Sequence, residues 1–197
     1  MNKHKGTANP PVAAGKSVPL PDPADLMAVV SHYQSSLLRY VGKMLGTADH
    51  ETEDIVQETF VRLHLQVSGK GRQSIRNLTT WLFKTAQNLT IDTFRKRARR
   101  IKTTKTTDKS AKLAREPAAD ELDALGEVLR REARQVALRE LGKLDERHRQ
   151  VVLLKVIQSM TLRQVAEVVG ISIPLANYRL NKGLAELARR LQKAGVV

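Results

Sequence analysis

Hydrophobic positions in this chain recur at helical spacing. Over residues 49–67, Val56, Phe60, Leu63 and Val67 step by four, three and four, which puts them on one side of a helix. Leu78, Leu82, Ala86 and Leu89 form a similar stripe over 78–100, and an earlier helix over 25–45 ends near Gly46. Four more helices are predicted at 120–142, 145–158, 161–169 and 172–194. Thr161 and Gln164 have capping-box spacing, and Ser172 stands as an N-cap with Pro174 in the first turn behind it. No stretch alternates with the period of a strand. The prediction is an all-α protein.

Proline and polar runs divide these helices into two groups. Pro10, Pro11, Pro19, Pro21 and Pro23 crowd the start, so residues 1–22 read as a disordered Pro-rich tail. Residues 101–119, IKTTKTTDKSAKLAREPAA, have no apolar period and read as a flexible linker. Two small helical domains are therefore expected, 23–100 and 120–197, joined by that tether. An apolar content of 41% is enough for real cores, while aromatics at 4% suit small helical units.

Charge changes the picture from fold to partner. The formal net charge of +14 points to a polyanion, with nucleic acid ahead of a membrane surface. The charge is also sorted along the chain. Residues 23–66 hold three basic and six acidic side chains, whereas residues 67–115 hold fourteen basic and two acidic. Two adjacent segments so different in sign are expected to face different partners. The chain has no cysteine, which excludes a disulfide scaffold and a Cys-based zinc site and fits a reduced cytosol. The longest apolar run, VVLLKVI at 151–157, is far too short to span a bilayer, and no targeting segment is visible. A soluble, cytoplasmic protein with no membrane insertion is expected.

Two stretches carry nucleic-acid chemistry. In TLRQVAEVVGISIPLANYRLNKGLAELARRL (161–191), a short helix with small Ala166 meets Gly170 in a turn and then a capped second helix. That is helix-turn-helix spacing. On the second helix Ala176, Leu180, Leu184, Leu187 and Leu191 are expected in the core. The opposite side carries Tyr178, Asn181 and Lys182, flanked by Asn177 and Arg179, groups suited to base edges and phosphates. In TTWLFKTAQNLTIDTFRKRARR (79–100), Trp81, Phe83 and Phe94 interleave with Lys84, Gln87, Asn88 and Arg95, and a basic tail including Lys96 follows. Aromatic faces stack on unpaired bases, amides read base edges and cations hold phosphates. Phe83 and Phe94 are expected in the core, and Asp92 is expected to pair with Arg95 or Lys96.

Enzyme chemistry finds little support. Glu51, Asp54 and Glu58 lie near one helical face and could hold magnesium, but no second acidic cluster completes a two-metal site. The five histidines form no HExxH pattern, and GKG at 69–71 is not a phosphate loop. No catalytic residue, cofactor or metal is expected.

With these residues in place the chain resembles a group 4, or extracytoplasmic function, sigma factor of the RNA polymerase sigma-70 family. Asp54, Gln57, Glu58 and Phe60 match the family's D-x-x-Q-[DE]-x-F pattern. Trp81, Leu82, Ala86, Asn88, Asp92 and Arg95 match W-L-x-x-x-A-x-N-x-x-x-D-x-x-R. Leu144, Asp145, Arg149, Val151, Leu153 and Leu154 match L-[DP]-x-x-x-R-x-V-x-L-L, and the terminal helix-turn-helix follows in order. The resemblance covers about residues 24–100 and 121–191.

The resemblance implies a sigma region 2-like domain and a sigma region 4-like domain. Asp54, Gln57 and Glu58 would contact bacterial core RNA polymerase on its basic clamp helices, with Phe60 packed inside its own domain. Trp81, Lys84, Gln87, Asn88, Arg95 and Lys96 would engage the promoter's minus-10 element, with the 68–79 loop shaping a pocket for a flipped base. Asn177, Tyr178, Arg179, Asn181 and Lys182 would read the minus-35 element. An anti-sigma factor is the further partner implied. The chain departs from the family pattern at Leu175, commonly Thr, at Ala176, commonly Val, and at Lys182-Gly183, commonly Arg-Ala. Lys cannot fork onto guanine as Arg does. A stand-alone helix-turn-helix DNA-binding regulator is the alternative reading.

Overall fold

A computed structural model of the chain describes residues 25–46, 49–69, 75–103 and 124–195. The Pro-rich tail, most of the expected linker and the centre of the 68–79 loop lie outside the described residues. Among the described residues there are seven α-helices: α1 (Leu26–Leu45), α2 (His50–Ser68), α3 (Leu78–Thr103), α4 (Ala124–Gly142), α5 (Glu146–Val152), α6 (Leu162–Val169) and α7 (Ile173–Lys193). A single π turn, Leu153–Ile157, extends α5. No strand occurs among the described residues.

The first three helices form one bundle. Tyr33, Leu37 and Tyr40 from α1, Leu63 from α2, and Leu82 and Phe83 from α3 are each at most 1% exposed. The Tyr40 and Phe83 rings meet edge to face at 5.5 Å, the arrangement their quadrupoles favour. Two buried hydroxyls satisfy one another, Tyr33 Oη and Thr79 Oγ1 lying 2.8 Å apart, whereas Thr80 Oγ1 is buried without a partner. α1 stops at Gly46, whose φ of 75° is open to glycine without a Cβ penalty, and its N–H donates to the Gly42 carbonyl at 2.8 Å. α3 starts on Asn77, whose Oδ1 accepts the Thr80 N–H at 2.9 Å.

In the second half α5 is central, and α4 lies against α7. α7, α6 and α1 all pack against α5, so Val151, Val152, Leu153 and Leu154 are buried in succession. The motif Leu144, Asp145, Arg149 is structural here. Leu144 is buried, Asp145 Oδ1 caps α5 by accepting the Arg147 N–H at 2.9 Å, and Arg149 Nη1 donates to the Gly142 carbonyl at 2.7 Å. Half-burial draws the Arg149 guanidinium's pKa down from its ordinary value, against the pull of Glu146 and Asp145.

Capping follows the sequence closely. Thr161 and Gln164 form the reciprocal capping box, and Ser172 Oγ accepts the Leu175 N–H at 3.4 Å. Gly170 turns the chain with φ of 71° between α6 and α7. The core of α7 differs from expectation. Ala176 and Leu180 are buried and Leu187 is partly so, but Leu184 is 38% exposed and Gly183 is buried in its stead.

The two halves also pack against each other. α3 lies along α6, and α1 meets α4 and α5. The seam contains a chain of buried polar groups. Tyr40 Oη donates to Gln87 Oε1 at 3.1 Å, and Gln87 Nε2 donates to Gln150 Oε1 at 2.7 Å. Gln158 Nε2 adds a bond to the Ser36 carbonyl at 3.3 Å. Burial, reinforced by Glu146, pushes the Tyr40 hydroxyl well above its usual pKa, so it stays a donor.

Candidate polymerase and nucleic-acid interfaces

α2 is two-faced because its apolar and acidic residues are out of phase. Ile55, Val56, Thr59, Phe60, Leu63 and Val67 are buried, and Phe60 packs inside its own bundle. Asp54, Gln57 and Glu58 are exposed together on the other side. The stripe runs on at helical spacing through Val61, 51% exposed, and Leu65, 65% exposed. Sequence reasoning missed those two; their signal was apolar residues outside the Val56–Val67 phase. Glu58 is engaged within its own helix, where Arg62 Nε donates to Oε1 at 2.8 Å. Glu51 is drawn off the stripe by an ion pair with Arg97 of α3. Among the described residues no group of three His, Cys, Asp or Glu is placed to hold a metal ion.

α3 presents a coherent outward line. Lys84, Asn88, Arg95 and Lys96 are exposed and Trp81 is half-buried. Asp92 Oδ1 accepts from Arg95 Nη1 at 3.3 Å, the local pair expected of it. Phe83 is fully buried, and Phe94 packs partly buried against the core. Trp81, Thr85 and Asn88 face Arg62, Leu65 and Gln66 of α2 across an open cavity of about 370 Å³. Aromatic, amide and cationic groups therefore converge in one groove, whose wall at Leu65 continues the α2 stripe.

Gln87 is the exception on α3. It is 2% exposed and bonded to Tyr40 and Gln150 in the seam, so the other five residues expected to engage the minus-10 element are on the open surface or its groove and Gln87 is not. At about 100° per residue it lies roughly 240° round the helix from Trp81, on the side of Phe83 and Thr90.

On α7, Asn177, Tyr178, Asn181 and Lys182 are exposed and Arg179 is half-buried. Lys182 Nζ folds over the Tyr178 ring, 5.7 Å from its centroid, within reach of a cation–π attraction. The buried side approaches α5 very closely: a Cβ on Gly183 would lie 2.9 Å from Val152 Cγ2.

These features define a helical protein with a terminal helix-turn-helix, an exposed acidic stripe and a basic, groove-bearing helix between them. Comparison with known proteins narrows that class. Residues 29–100 match sigma-70 region 2, and residues 134–187 match sigma-70 region 4. The chain is 26% identical over 166 residues to the ECF RNA polymerase sigma factor SigW of Bacillus subtilis, covering 83% of this chain and 87% of that protein. It is 28% identical over 180 residues to the ECF sigma factor SigG of Mycobacterium tuberculosis, covering 83% of this chain and 48% of that protein. The fold is similar to one in the co-crystal structure of the sigma factor RpoE with the anti-sigma factor NepR from Bartonella quintana. There the TM-score is 0.68 at 20% identity, over 85% of this chain and 97% of that one. CnrH in complex with the cytosolic domain of CnrY gives a TM-score of 0.58 at 23% identity, over 86% of this chain and 89% of that one. The chain belongs to the extracytoplasmic function class of the sigma-70 family of RNA polymerase sigma factors.

Proposed function

We propose a division of labour by which this sigma factor directs promoter-specific initiation. Asp54, Gln57 and Glu58 dock α2 on a basic surface of core polymerase. Trp81, Lys84, Asn88, Arg95 and Lys96 engage the minus-10 element, with the α2–α3 groove taking an unstacked base. Asn177, Tyr178, Arg179, Asn181 and Lys182 face the minus-35 duplex. The observation that carries this reading is the out-of-phase α2, which exposes its acids in a chain of net charge +14. Gln87, on the opposite side of α3 and bonded to Tyr40 and Gln150, is left out of the minus-10 surface.

The functional units follow the two halves, 23–100 and 120–197, with α3 running on to Thr103 into the first residues of the expected 101–119 tether. The protein acts in the cytoplasm, consistent with the finding that no described helix is long and apolar enough to cross a membrane. It is not an enzyme; the reaction belongs to the polymerase. Both structural neighbours come from complexes with partners, the anti-sigma factor NepR in one and the cytosolic domain of CnrY in the other, which supports an anti-sigma factor as a regulator here too. A stand-alone helix-turn-helix regulator would bind a specific duplex tightly without polymerase.

Run-off transcription with purified core enzyme tests the reading. Promoter-specific transcripts are expected only when both core and this chain are present. Specific duplex binding by the free chain, with no gain in specific initiation on adding core, overturns it.

A further inference from the structure

The leading end of α7 carries a surface that the minus-35 assignment leaves unexplained. Helix-turn-helix proteins contact base edges chiefly with the first residues of the second helix. On α7 those first residues are apolar: Ile173 is 47% exposed and Leu175 38% exposed, with Pro174 between them. Tyr178 follows at 58% exposed. Asn177 is the first exposed amide on the helix, two residues past Leu175, and Asn181 and Lys182 lie nearly two turns beyond Leu175. Leu175, Tyr178 and Lys182 share one outward strip, at i, i+3 and i+7, opposite buried Ala176, Leu180 and Gly183.

This strip has one natural complement in a major groove. The base-pair edges there present donors and acceptors, and the thymine C5-methyl is the apolar exception. A leucine in the first turn cannot hydrogen-bond to an edge but can cover a methyl. The cation beside it favours nucleic acid over an apolar protein surface, because Lys182 Nζ is held 5.7 Å from the Tyr178 ring at the edge of the strip. The chain's net charge of +14 has the same sense.

We propose that Leu175, supported by Tyr178, is a specificity-determining residue that selects thymine in the minus-35 element by covering its C5-methyl group. The proposal rests on the minus-35 reading of α7 and deepens it. Leu175 stands where the family commonly has Thr, so this chain exchanges a hydroxyl for an apolar reader.

The experiment uses holoenzyme assembled from purified core and the full chain. Promoter duplexes randomised over the minus-35 element are selected for initiation, and wild type is expected to enrich thymine at one or more positions. Replacing that thymine with deoxyuridine removes only the methyl and is expected to lower wild-type initiation about fourfold, the worth of one methyl-sized contact. Leu175→Ala is expected to be insensitive to the replacement, and Leu175→Met to keep the sensitivity. The site is exposed, so both variants are expected to keep the wild-type melting temperature. Absence of thymine enrichment, or equal deoxyuridine sensitivity in wild type and Leu175→Ala, overturns the proposal while leaving the minus-35 reading intact. Indifference of wild type to any minus-35 sequence sinks that reading itself. A Leu175→Ala defect that persists on promoters lacking a minus-35 element assigns the strip to a protein partner and overturns the proposal.

Discussion

The polar chain across the seam makes a prediction whose asymmetry can be worked out bond by bond. Gln87 sits in the middle, accepting from Tyr40 and donating to Gln150, and the three residues are 2%, 1% and 6% exposed. Gln150→Leu strands one group, the Gln87 amide N–H, at about 1–3 kcal/mol. Gln87→Leu strands two, the Tyr40 hydroxyl and the Gln150 amide, so its cost is roughly double. The double variant leaves only Tyr40 unpaired and should cost less than Gln87→Leu alone, about the same as one stranded group. The native chain has no cysteine, so Glu53→Cys and Ala185→Cys, both at exposed positions, provide unique sites for a fluorophore pair across the two halves. Urea titration followed by energy transfer and by circular dichroism then reads opening and unfolding in the same sample. Equal costs for the two single variants, or a double variant equal to their sum, refutes the claim that this chain of bonds holds the halves together.

Three further outcomes follow from named contacts. The Lys143 hydrogen bond at 2.7 Å, with Arg139 and Arg190 nearby, holds the Glu140 carboxyl below its ordinary pKa. A lowered folded-state pKa gives stability that is present above the unfolded value, about 4.3, and is lost as pH falls below it. Thermal melts of Glu140→Gln are accordingly expected to show a shallower acid limb than wild type; parallel limbs would contradict the assignment. Gly183→Ala gains about 1 kcal/mol of helix propensity but places a Cβ 2.9 Å from buried Val152, an overpacking cost of about 1–3 kcal/mol. Net destabilisation on denaturant unfolding is expected, and a stabilised variant would show that α7 can move off α5. Asp54→Lys with Glu58→Lys is expected to weaken core-polymerase binding about tenfold in a titration while leaving the melting temperature within a few degrees. Unchanged affinity would remove these residues from the docking surface.

Most of the helices were legible because their signals are local. The Val56–Val67 phase, the Thr161–Gln164 box, Ser172 and Gly170 each fix an element from its own residues. The misreadings are geometric. Stepping along α7 in fours from Ala176 to Leu184 drifts about 40° per step, whereas the buried line runs 176, 180, 183, 187 and stays centred. Leu184 consequently falls at the edge of that line and Gly183 inside it. Sequence adjacency groups Gln87 with Asn88, although adjacent helical residues point about 100° apart. Its burial depends on Tyr40 and Gln150, which lie 47 and 63 residues away, and no local pattern announces such a bond. The π turn was equally hidden. Its widened hydrogen bonding, Gln158 N–H to the Leu153 carbonyl at 3.1 Å, closes a largely apolar stretch that reads as ordinary helix.

The make-up of the seam decides how easily it can be undone. Had Gln87 and Gln150 been leucines, each parting would uncover a greasy spot on both halves, and the separated protein would tend to clump. Amides and a phenol exchange their mutual bonds for water instead, at a net loss of only about 0.5–1.5 kcal/mol per bond. Closure at this point is thus cheap to break and cheap to remake.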